Sequence, residues 1–147
     1  SSATSVLGSK LQFEQKVSIY TGASYGGMSL DDTTFNLFIV PAEGVTLQEA
    51  EDAMDAVIAD FMKTGPDAAV FDRIKMQIRA SRIYGQDNVE SIGRGYGRAL
   101  TQGLTVQDVQ DWPEILQQVT IDDVMAAAKL IFDREKSVTG WLMGEER

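Results

Sequence analysis

Two rhythms run along the chain. β-branched and aromatic residues cluster between positions 16 and 42, and from 46 to 131 apolar residues recur every three or four positions. The first is the signature of strands and the second of amphipathic helices. "KVSIYTGASYGG" closes on a glycine pair and predicts a strand over residues 16–25. In "TTFNLFIVPA", Phe35, Leu37 and Ile39 would face one side and Asn36, Phe38 and Val40 the other. Both sides are largely apolar, as in a strand inside a sheet, and Pro41, with no N–H to donate, should end it. The two predict an antiparallel hairpin. "TLQEAEDAMDAVIADFMKTG" predicts a helix opened by a Thr46/Glu49 capping box and stopped by Gly65, with Leu47, Ala50, Met54, Val57, Ile58 and Phe61 on its buried face. A second helix starts at an Asp67 cap, turns Phe71, Ile74 and Ile78 inward, and reaches about Tyr84.

Further helices follow. Asp87 and Glu90 suggest another capping box ahead of "SIGRGYGRAL", whose Ile92, Tyr96, Ala99 and Leu100 keep helical spacing. Three alternate glycines beside arginines have the ingredients of a phosphate loop, but such a loop follows a strand and opens a helix. Here the glycines sit inside a helix, so Gly93 and Gly97 read instead as a smooth patch for close packing. Thr105 caps a short helix interrupted at Pro113, Thr120 with Asp123 caps the next, and Val124, Ala128 and Ile131 should point inward. "SVTGWLMG" predicts a last strand, 137–143. Strand, strand, helices, strand is an α+β order, with the helices packed on one face of a small, mainly antiparallel sheet.

Composition narrows the chemistry. The 147 residues, 44 % of them apolar, fit one domain, 1–147, able to bury roughly 70 % of its unfolded surface. The net charge of −9 excludes a basic nucleic-acid footprint, and no apolar run is long enough to span a membrane. Acids crowd Glu49–Asp60, whereas Arg73, Lys75, Arg79, Arg82, Arg94 and Arg98 make the next stretch basic, a solvated face complementing the acidic helix. Histidine and cysteine are both absent, which excludes Ser–His–Asp and Cys–His catalysis, disulfides and histidine-based zinc motifs. Asp31-Asp32 could serve acid–base chemistry or a cation, but turn chemistry accounts for them better. Trp112 and Trp141 suit either packing or an interface. "SSATSVLGSK" has neither the charged nor the apolar region of a signal peptide, and without an initiator methionine the chain is expected to be a fragment.

The order of the pieces carries a resemblance. "TSVLGSKL…ASYGGMSLDDTTFNLFIVPAEGVTLQEAEDAM", "GPDAAVFDRIKMQIRAS", "GRALTQGLTVQDVQDWPEILQQVTIDDVMAAA" and "VTGWLMGEE" together resemble the pitrilysin/insulinase family of zinc peptidases, over nearly the whole chain. The likeness is to the C-terminal, non-catalytic half of a bacterial two-domain member, lacking that domain's first strand. It implies a parent whose N-terminal half holds zinc through H-x-x-E-H and a distant glutamate, leaving the metal a position for the attacking water. It further implies a periplasmic setting, a peptide substrate, and the catalytic half or a partner subunit as partner. This chain would supply no catalytic residue, no metal ligand and no cofactor.

The resemblance also implies a substrate-holding arginine and, seven residues later, a tyrosine. Those positions fall at Gln12 and Ile19, so the pair is not carried over; Tyr20 is one step away and on the opposite face of the strand. Three functions stay open: a substrate-enclosing half of a zinc peptidase, a non-enzymatic scaffold subunit of the same family, or an unrelated α+β module, whether a binding domain or an enzyme using carboxylates. A sheet that lacks its first strands should also expose unpaired edges, so the fragment is expected to self-associate as a homodimer.

Overall fold

A computed structural model describes residues 5–27, 29–85 and 87–144. A π-helical segment, Gly8–Glu14, leads into strands β1 (Ser18–Tyr25) and β2 (Phe35–Pro41). Five helices follow: α1 (Leu47–Thr64), α2 (Ala68–Gly85), α3 (Val89–Thr101), α4 (Val106–Gln118) and α5 (Ile121–Ile131), then a 3₁₀ turn at Arg134–Lys136. The fold is α+β. Its described residues gather into two compact units, one drawn from 1–24, 35–64 and 126–147, the other from 25–34 and 65–125.

In the first unit, β1 and β2 form a two-stranded sheet. The Ala42 N–H donates to Val17 O at 3.0 Å and the Thr21 hydroxyl to Phe38 O at 3.0 Å, tying the two antiparallel strands together. Helix α1 packs on β2, and the unit's core is Leu11, Ala50, Val57 and Ala128. β2 alternates half-buried and exposed positions along an edge, where an interior strand was expected. The expected strand at 137–143 does not form. A strand exists only where another strand accepts its N–H and C=O groups, and residues 137–144 run past the 3₁₀ turn without such a partner. Their fixed points are on α1: Trp141 Nε1 donates to Glu51 Oε2 at 2.7 Å, just beyond Arg134, which pairs with Asp55 at 2.8 Å.

Local chemistry explains the helix ends. Thr46 with Glu49, Thr105 with Asp108 and Thr120 with Asp123 each close a reciprocal box, and the Val70 N–H donates to Asp67 Oδ1 at 2.9 Å. Helix α3 departs from expectation. Its cap is Asn88, whose extended backbone and side-chain oxygen receive the Ser91 N–H at 2.9 Å, while Glu90 becomes a first-turn acid paired with Arg94. Helix α4 also runs unbroken through Pro113. Proline cannot bond the carbonyl four residues back, which is Val109 O. The Arg82 guanidinium donates to that oxygen at 3.0 Å instead.

The three box carboxylates are held below their ordinary values. For Glu49 the chief cause is the Thr46 backbone N–H, followed by its hydroxyl. For Asp108 and Asp123 it is the hydroxyl of Thr105 or Thr120, followed by the backbone. A depressed folded-state value adds stability above the unfolded value, near 4, that is lost as pH falls through the folded one. The melting temperature should therefore hold from neutrality to about pH 5 and drop below about 4. Circular dichroism melts of the parent and a Glu49→Gln/Asp108→Asn/Asp123→Asn variant would check this; equal acid sensitivity in both would refute it.

Little of the chain is deeply buried. Among the described residues the largest fully enclosed side chains are Leu11 and Thr21, and α2 has no buried residue, with Ile74 and Ile78 nearly half exposed. The accessible surface is 11189 Å². The chain buries about half of its unfolded surface rather than the expected 70 %. The close approach expected at Gly93 and Gly97 is likewise missing: a Cβ built there, or at Gly95, meets nothing within 4 Å.

Candidate functional site

Gln12 and Ile19, the positions at which the resemblance implies an arginine and a tyrosine, lie where the π-helical segment turns into β1. That turn is tight. Lys16 takes a left-handed conformation, φ 56°, and the Val17 N–H returns to Leu11 O at 3.0 Å. Left-handed backbone is unfavourable for a side chain with Cβ, so the local strain must be held by the contacts around it. π-helical segments are rare and recur at functional sites.

This turn brings Gln12 back onto the strand. Its Nε2 donates to Ile19 O at 2.6 Å, while its Oε1 is buried without a hydrogen-bond partner. The two positions thus meet through the Gln12 amide and the Ile19 backbone. The amide donor is engaged inside the chain, and Gln12 has no positive charge with which to grip a peptide carbonyl. The Ile19 side chain is exposed, and aliphatic. Beside it Tyr20 packs its ring on Phe38, centroids 5.3 Å apart. Gly22 makes room for that ring: a Cβ there would lie 2.6 Å from Phe38 Cζ. The result is an exposed aromatic and aliphatic surface on the hairpin, with one amide tied down next to it. It can pack against apolar groups. Among its residues is no pair of acid, base or nucleophile set for a reaction.

The second unit holds an open groove of about 750 Å³ lined by Ile78, Arg82, Tyr96, Pro113 and Leu116. Two of the unit's basic residues, Lys75 and Arg82, act structurally. Besides the Arg82 bond to α4, Lys75 Nζ donates to Gln117 O at 2.5 Å and Val119 O at 2.9 Å, closing the C-terminal end of α4 where carbonyls lack helical partners. The basic stretch is thus partly spent on its own neighbouring helix, a role charge patterning could not reveal. Asp31 and Asp32 are exposed in the loop between the strands. Among the described residues no group of three or more acidic side chains could hold a metal ion, and no helix is long and apolar enough to cross a membrane.

No family model matches the sequence, and no curated protein does. Among solved structures the chain is similar to a protease from Helicobacter pylori, with a TM-score of 0.78 at 17 % identity. The alignment covers 89 % of this chain and 31 % of that one, so the chain spans less than a third of the protease's length. At such identity the likeness establishes the fold, whereas chemistry belongs to side chains placed on it. The chain therefore shares the fold of the aligned stretch of that structure.

Proposed function

We propose that this chain is part of the non-catalytic half of a zinc metalloendopeptidase of the pitrilysin/insulinase type, where it helps enclose and position peptide substrates. The observation behind this reading is the backbone likeness over 89 % of the chain to less than a third of a protease. The order of sequence segments and the large exposed apolar surface point the same way. Zinc and the water it activates would belong to the catalytic half, since a chain without histidine or cysteine cannot build such a site.

One observation favours a second reading, the scaffold subunit. Gln12 and Ile19 lack the charge and the hydroxyl needed to hold a substrate backbone, and Gln12 is committed to Ile19 O. The natural gene product separates the two. Cleavage of a quenched peptide that is abolished by a zinc chelator, restored by zinc, and lost on deleting the region 1–147 supports the peptidase reading. A zinc-free, inactive product that still binds a catalytically competent homologue supports the scaffold. Neither activity nor binding would overturn both. The 147-residue chain alone should remain inert with added zinc, and metal-dependent cleavage by it would contradict the assignment.

A further inference from the structure

The last described stretch of the first unit is held at three points and bare between them. Phe132 sets its ring edge-on to Phe35, the first residue of β2, with centroids 5.6 Å apart. Arg134 then pairs with Asp55 at 2.8 Å, and Trp141 Nε1 donates to Glu51 Oε2 at 2.7 Å. The order of these anchors gives the segment a direction. Helix α1 follows β2 after a short connection and packs back along it, so its first turns lie over the Pro41 end of the strand. In passing from Asp55 to Glu51 the segment advances toward that end, and therefore runs the same way as β2. Its side chains are already sorted as along a strand, where successive residues face opposite sides. Trp141 turns to the helix that covers β2, whereas Val138 and Leu142, of the other parity, are 98 % and 93 % exposed. Among the described residues β2 has a strand neighbour only in β1.

We propose that residues 137–144 are a strap that closes onto the open edge of their own β2 as a third strand, parallel to it. The anchors at Phe132 and Trp141 stay in place, and the bare residues around Trp141 move in against the strand. A parallel neighbour needs a long crossover connection, which the intervening helices supply. A two-stranded sheet is marginal by itself, and a third strand steadies it. Closure also covers an edge that is otherwise a template for another chain, so the strap guards the sheet against strand addition from outside.

Hydrogen exchange of the 147-residue chain, read amide by amide by nuclear magnetic resonance, tests this. Alternate amides of residues 137–143 should exchange about tenfold or more slowly than unpaired backbone. Cross-peaks should join residues 137–143 to residues 35–41 in parallel order. Leu142→Pro removes an N–H from the strap while touching nothing in the core, and should return the strap to unpaired rates with its helical circular dichroism unchanged. Leu142→Thr, which preserves strand propensity, should stay close to the parent. Because closure occurs within one chain, the protection should not change on dilution. Free exchange of the strap in the parent, protection indifferent to Leu142→Pro, protection that fades on dilution, or cross-peaks in antiparallel order would each overturn the proposal.

Discussion

Truncation of Leu11 to alanine should destabilise the chain by about 3 kcal/mol, a large share of the total by which a domain is ordinarily stable. Leu11 is completely buried, and among the described residues the other buried apolar ones are Val57 and three alanines, Ala50, Ala99 and Ala128. The alanines are already minimal, so the first unit has almost no other large enclosed side chain to hold its layers together. Leu11 also sits where its carbonyl receives the Val17 N–H, at the turn that holds Lys16 in its left-handed conformation. A cavity there loosens the entrance to β1 as well as the contact with α1. Urea unfolding followed by circular dichroism should show a lower midpoint with an unchanged slope. Val138→Ala, at a position 98 % exposed, serves as the control and should shift nothing. A loss below about 1 kcal/mol for Leu11→Ala would mean that the core lies elsewhere.

The second large effect links two residues 31 positions apart in sequence, Arg82 and Pro113. Removing the guanidinium by Arg82→Met keeps most of the aliphatic stem but leaves Val109 O without the donor that replaces the missing proline N–H. The expected loss is about 1.5–3 kcal/mol, the range for a hydrogen bond from a charged donor. Pro113→Ala restores that N–H and a helix-compatible backbone, and should stabilise α4 by about 1–2 kcal/mol, less than the full penalty of an interior proline because Arg82 already offsets part of it. In the Pro113→Ala background Arg82→Met should then be nearly silent. The double-mutant cycle reads this directly: a coupling of about 1 kcal/mol or more is expected, and strict additivity would show that Arg82 does not substitute for the absent N–H.

Helices were legible because their signals are local. Caps, apolar spacing and glycine stops act within four residues of one another, so the Thr46/Glu49 and Thr120/Asp123 boxes and the Asp67 cap could be read one segment at a time. The cap expected at Asp87 falls one residue later, at Asn88, whose extended backbone suits the role. Pro113 was misread as a break because the group that rescues the helix comes from α2. The candidate site was legible only as two positions. That Gln12 would bond to the backbone of Ile19 depended on the π-helical turn and on Lys16, which no short-range pattern announces.

By itself, then, the sequence determined the order and kind of the helices, the hairpin, the absence of histidine- and cysteine-based chemistry in this chain, and the acidic balance. Each follows from short-range backbone preference or from the inventory of side chains. Tertiary structure alone decided that, among the described residues, the sheet has two strands, residues 137–144 form no strand, the glycines of α3 face open space, and the core is Leu11 with a few small neighbours. These depend on which distant backbone groups find one another and how much apolar area each meeting removes from water. A strand sequence states a readiness to pair; whether it pairs is settled by the presence of an edge within reach.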